Sequence, residues 1–248
     1  MDNFEDVVEN LTFLYIMSKT VDYNSHPVKR IEIPKEDGFA LTGEFFRKLS
    51  NNNDEIFSAL KRYIYSLKEV PWVEGGLFIN EKGETRILAP TQDNIFSTSI
   101  LIHECTHALD IEKIINLEAR EGFEEVLPFL NQFLFIDYLK EFYDVDELKN
   151  THMDYMINNQ LLYNVNEYVN LSDKVIIDPE RMKSHFKYIL GSLYSIVLYE
   201  WYKADEDFMN RYSKIYTENA PLNSLTDYYD VKLGDIENIK LVKSLMKK

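Results

Sequence analysis

Two of the chain's five histidines stand four residues apart in His103-Glu-Cys-Thr-His107, with a glutamate directly after the first. On an α-helix, residues i and i+4 share a face one turn apart, so both imidazoles can aim a ring nitrogen at a single ion. Two neutral imidazoles and one carboxylate make a three-ligand zinc site that leaves a fourth position for water. Glu104, about 100° around the helix from His103, would stand beside that water and act as its base. The deprotonated water then attacks a peptide carbonyl that the metal polarises. The alternative is a core helix whose histidines are satisfied by ordinary hydrogen bonds. In a chain of this composition the five-residue pattern arises by chance about once in a hundred, so its context has to decide. Ile100-Leu-Ile102 before it and Ala108-Leu109 after it make the helix apolar, and partly buried imidazoles need partners. Asp93 or Ser97 is expected to cap the helix start. Cys105 lies on another face with no second thiol and reads as a packing residue. Asp110, one turn beyond His107, either orients a ligand histidine or simply sits at the helix end.

The third ligand must come from elsewhere, and Glu118, Glu121, Glu124, Glu125, Glu141 and Glu167 are available. Spacing alone does not choose among them. The run Glu121-Gly-Phe-Glu-Glu-Val-Leu-Pro-Phe-Leu-Asn-Gln-Phe-Leu-Phe-Ile-Asp-Tyr-Leu139 differs in placing glutamates at the start of a very apolar helix. Proline is tolerated only in the first turn, so Pro128 puts Glu124 and Glu125 at or just outside the N-terminus. They face different ways, so at most one is a ligand. The usual role of such a residue is to compensate the helix dipole.

Taken in order, "HECTHALD", "GFEEVLPFLNQFLFIDYL", "HFKYILGSLYSIVLYEWY", "YSKIY" and "LGDIENI" resemble the catalytic end of the thimet oligopeptidase / oligoendopeptidase F family of zinc metallopeptidases. The resemblance covers roughly residues 72–240. It implies a zincin-like fold, one zinc ion per chain held by His103, His107 and Glu125, and Glu104 as general base. It also implies that a late helix supplies a tyrosine and a histidine to the substrate carbonyl and the oxyanion. On the matching segment, Ser184-His-Phe-Lys-Tyr-Ile-Leu-Gly-Ser-Leu-Tyr194, these are Tyr188 first, with His185 and Tyr194 behind it. The chain departs from the family pattern in a shorter connection between His107 and Glu125, in Pro128 where a serine is usual, and in Gln132 where an acid is usual. Only about a hundred residues precede the motif, so the long channel-walling helical region of the family is not expected here.

Two other readings compete with an active oligopeptidase. One is a non-catalytic zinc-binding or regulatory descendant, to which Pro128 and Gln132 point. The other is a protease for one protein, similar to the lethal-factor type of toxin peptidase, in which Glu167 would be the ligand. His26 and His152 fall in polar, turn-like or exposed contexts and are assigned no role.

The elements that must position these residues are mostly helical. With 8 Gly and 7 Pro in 248 residues, and apolar residues recurring at helical spacing, the pattern predicts helices over 3–19, 41–50, 53–69, 94–112, 125–143, 145–170, 180–203, 205–218 and 235–247. Residues 72–90 instead show two short alternating runs around Asn80-Glu-Lys-Gly83, a β-hairpin signal just before the histidine helix. Arg30-Ile-Glu-Ile-Pro34 reads as a further strand. The expected fold is mainly α with a small β-sheet: residues 72–248 form the catalytic part, and 1–71 is a helical segment packed on it in one continuous unit.

A hydrophobic fraction of 45% supports a real core, while a formal charge of -15 with no basic patch argues against a nucleic-acid partner. No run is long enough to span a membrane. One cysteine and an acidic N-terminus point to the cytoplasm, with a peptide as the expected partner.

Overall fold

The computed structural model describes residues 4–21, 31–65, 68–69, 76–79, 85–89, 93–111, 122–172 and 178–246. Three helices come first: α1 (Phe4–Ser18), α2 (Lys35–Leu49) and α3 (Asp54–Tyr65). Three short strands follow, β1 (Lys68–Glu69), β2 (Gly76–Ile79) and β3 (Thr85–Ala89). They form a sheet in the order β1-β3-β2, with β2 antiparallel and β1 parallel to the central strand. The two runs of the expected hairpin pair with Gly76 opposite Leu88 and Ile79 opposite Thr85, while its turn lies outside the described residues.

The sheet leads into α4 (Ile95–Ile111), followed by α5 (Val126–Tyr138), a single 3-10 turn (Leu139–Glu141) and α6 (Asp146–Tyr155). A π-helical segment, Met156–Leu162, joins α6 to α7 (Tyr163–Ser172), and the chain closes with α8 (Pro179–Ala204), α9 (Phe208–Thr217), α10 (Asn223–Tyr228) and α11 (Ile236–Leu245). Among the described residues, no helix is long and apolar enough to cross a membrane.

Helices α4 and α5 sit at the centre. α5 packs on α4 on one side and on α8 on the other, and α3, α2 and β3 back α4. Nearly every residue of α4 and α5 is buried, as expected of helices that are apolar all round. Burial of Phe129, Phe133, Phe135 and the leucines of α5 contributes about 1.5–3 kcal/mol per side chain. Packing against two neighbours therefore holds this 13-residue helix in place more than its own propensity does. Pro128 sits in its first turn with Glu125 at the N-cap position, as the sequence predicts.

Several expectations are corrected. The strand expected at 30–34 is not formed by 31–34: the Ile31 carbonyl accepts from Ile95 N at 3.0 Å, and Pro34 is the N-cap of α2. That helix starts at Lys35, six residues earlier than expected, because Glu36 and Asp37 suit a positive helix end. Asp93 and Ser97 do not cap α4. Asn94 does, its Oδ1 accepting from Ser97 N at 2.9 Å, while Asp93 accepts from Lys35 N. The helix expected over 53–69 stops at Tyr65, and Lys68–Glu69 join the sheet. The one expected over 145–170 is interrupted by the π segment, and α10 was not expected at all.

Candidate metal centre

The apolar face that buries α4 also carries His103 and His107 inward, one turn apart. Their Nε2 atoms lie 3.1 Å from each other. Glu125 reaches the same point from the N-cap position of α5, its Oε2 at 3.1 Å from His103 Nε2 and 3.3 Å from His107 Nε2. Because Glu125 precedes the helix, its side chain runs across the α4–α5 contact instead of along α5.

Three lone-pair atoms thus converge with too few protons between them. Glu125 Oε2 is buried and receives no hydrogen bond of good geometry, an arrangement that costs free energy unless a cation joins it. An ion about 2.0 Å from each of three tetrahedral ligands sets those ligands about 3.3 Å apart, which the observed separations match. His103, His107 and Glu125 form a group that could hold a metal ion.

The metal-free electrostatics carry the same strain. Burial pulls the His107 imidazole down, but the Glu125 carboxylate outweighs burial and raises it. Burial pushes the Glu125 carboxyl up, yet the two imidazoles hold it well below the usual carboxylate range. Glu104 is 6% exposed. Burial raises its carboxyl against the partial opposition of both histidines.

The late helix α8 closes the site. Tyr188 packs on the ring of Phe129 at 6.1 Å, and that ring lies 5.0 Å from the His103 imidazole. His185 Nδ1 lies 2.7 Å from Asn164 Oδ1, and burial lowers its pKa. The Asn164 amide nitrogen donates to the Gln160 carbonyl at 2.6 Å. That fixes the amide's orientation, so His185 carries its proton on Nδ1 and leaves Nε2 as an acceptor. An open hollow of about 260 Å³, lined by Gly122, Tyr168, Met182, Lys183 and Phe186, runs beside this part of α8.

The other candidates are placed elsewhere. Glu167 pairs with Arg181 at 3.4 Å and Glu141 with Lys48 at 2.9 Å, while Glu118 and Glu121 lie outside the described residues. Glu124 is not among the converging groups. Tyr194 is a core residue stacked edge-on against Phe123 at 4.8 Å. Cys105 is fully buried, and burial pushes its thiol far up, as expected of a packing residue. Asp110 is half-buried near the end of α4. Gln132 donates to the Ser99 carbonyl at 3.2 Å and so ties α5 to α4. His152 corrects an expectation: it is not exposed but buried against Phe133, and burial lowers its pKa to about 3. His26 lies outside the described residues.

Two contacts at the centre were not foreseen. Lys187 Nζ lies 2.9 Å from Glu125 Oε1, and Gly191 abuts Glu125 directly. The lysine left no signal in the sequence. The glycine did, since an isolated Gly in a helical pattern costs stability and usually has a packing reason.

No family model matches the chain, and no curated protein does. Among solved structures, the crystal structure of a "putative peptidase" from Chlamydophila abortus matches with a TM-score of 0.56 at 11% identity, over 98% of this chain. The two share a fold. This chain spans about half, 52%, of the length of that protein.

Proposed function

We propose that the chain is a zinc-dependent metallopeptidase of zincin type that hydrolyses oligopeptides, similar to the thimet oligopeptidase / oligoendopeptidase F family. The observation that carries this reading is the convergence of His103 Nε2, His107 Nε2 and Glu125 Oε2 at 3.1–3.3 Å, with the buried carboxylate of Glu104 beside them. The peptidase-like fold supports it.

Zinc, when bound, supplies a Lewis acid that makes a water acidic and polarises a peptide carbonyl. Glu104 takes the water's proton on its carboxylate and delivers it to the leaving amine. Burial strengthens its hold on a proton, the direction needed by a base that must later act as an acid. Tyr188 donates its phenolic hydrogen to the carbonyl oxygen as that oxygen gains charge. His185, held through Nδ1 by Asn164, presents Nε2 as an acceptor for a backbone N–H of the peptide. The aromatic hollow along α8 takes one substrate side chain.

Metal analysis of the purified protein is expected to give about one zinc per chain. A library of quenched peptides should be cut, with Glu104→Gln lowering the rate about 10³-fold while zinc is retained. A protein that holds zinc but cuts no peptide would make the chain a non-catalytic descendant and overturn the reading.

A further inference from the structure

The three candidate ligands come from α4 and the start of α5, but the helix that closes on the far side of Glu125 is α8. Lys187 and Gly191 make that contact, and their i, i+4 spacing puts them on one face. Lys187 holds Glu125 Oε1 at 2.9 Å, leaving Oε2 to the histidines. A Cβ at Gly191 would lie 2.4 Å from Glu125 Cβ, 3.1 Å from its carbonyl carbon and 3.1 Å from Phe129 Cδ2. The first distance is far inside any non-bonded carbon contact, and neither partner can yield freely. Glu125 Cβ is tied to the start of α5, and Phe129 is buried against His103. Gly191 lies within a regular helix and is not among the positive-φ glycines, so what the site needs from it is space.

We propose that Lys187 and Gly191 are positioning residues that seat Glu125 as a one-oxygen metal ligand. Gly191 lets α8 come close enough to fix where the carboxylate starts. Lys187 occupies Oε1, so an ion meets Oε2 alone and a coordination position stays open for water. The inference rests on the metal site of the proposed function and adds how its third ligand is set.

Zinc titration against a chromophoric chelator and the visible spectrum of the cobalt(II) form test it without reference to activity. Gly191→Ala is expected to lower zinc affinity tenfold or more, with helical circular dichroism retained. Lys187→Met is expected to free Oε1 and weaken the cobalt absorption towards that of a five-coordinate ion. Unchanged zinc affinity in the first variant, or an unchanged cobalt spectrum in the second, overturns the proposal. Should Gly191→Ala fail to fold, Glu125→Gly/Gly191→Ala moves the Cβ to the other side of the contact and is expected to fold again. A double variant that also fails to fold overturns the proposal, because the clash then lies elsewhere. Wild-type protein that binds no zinc sinks the metal reading itself and this inference with it, before any variant is compared.

Discussion

Helices α4 and α5 are bridged by two buried polar clusters, one at the start of α5 and one about two turns further on. In the second, the Asn131 amide nitrogen donates to Thr106 Oγ1 at 2.8 Å and to Tyr216 OH at 2.7 Å, while Tyr212 OH donates to Asn131 Oδ1. Thr106 Oγ1 in turn donates to the Ile102 carbonyl at 2.9 Å. Donors and acceptors are matched, and burial raises the pKa of both tyrosines, which keeps them protonated as donors. In the first cluster, His103, His107 and Glu125 bring three acceptors together and leave Glu125 Oε2 without a proper donor. The Asn131 cluster is fully buried and the His103 and His107 side chains keep 11% and 20% of their surface, a difference too small to separate structure from function in this core. The proton count does: a matched network specifies packing, and a proton-poor one could hold a cation.

The sharpest way to break that contrast is Glu125→Gln, which supplies the missing donor hydrogens at nearly constant volume. It should lower zinc affinity by about 100-fold or more, yet leave the metal-free protein no less stable in urea unfolding. Lower metal-free stability would mean that the carboxylate is there for the fold. Asn131→Ala runs the other way: taking one partner from each of three buried hydroxyls should cost about 3 kcal/mol of stability. Zinc affinity of the folded fraction should stay within about threefold of wild type, as read by chelator competition. Metal removal gives a slightly smaller effect. At free zinc about 100 times Kd the wild type should gain about 2.7 kcal/mol, lost on chelation and absent in Glu125→Gln, which thermal scans can measure.

His152 is a third case, buried with Nε2 lacking a partner but kept neutral. Its pKa falls from 6.5 to about 3 on folding, so the unfolded chain binds the extra proton between those values. Its contribution is therefore fully present above pH 6.5 and is lost as pH falls towards 3, at up to about 1.4 kcal/mol per pH unit. His152→Leu should flatten that limb of the stability profile. A parallel slope in the variant would assign the acid loss to other groups.

The local parts of this arrangement were legible in the sequence. Helical spacing puts His103 and His107 on one face, and Pro128 places Glu125 at a helix start. What spacing could not supply was distance between elements. Choosing Glu125 on the residues alone was impossible because a carboxylate outside its helix has no periodic direction, and the resemblance carried that choice. Lys187 stayed hidden for the same reason: it meets Glu125 across 62 residues of chain. The cap of α4 differs from the expected Asp93 or Ser97 because Asp93 is drawn across to α2 and its neighbour Asn94 takes the helix start. His152 was misjudged because the Phe133 ring that buries it comes from α5, a different element.

The π segment at Met156–Leu162 makes chain length itself a constraint on the pairing of α7 with α8. A wider helical turn absorbs extra residues without ending the helix, so everything after it is rotated relative to an uninterrupted α-helix. Asn164 and Glu167 meet His185 and Arg181 on α8 only in that rotated phase. Were Met156–Leu162 to straighten into an α-helix at the same length, α7 would turn by about 100° and carry both side chains off α8. The register of His185 is therefore written into the number of residues between α6 and α7 as well as into their identities.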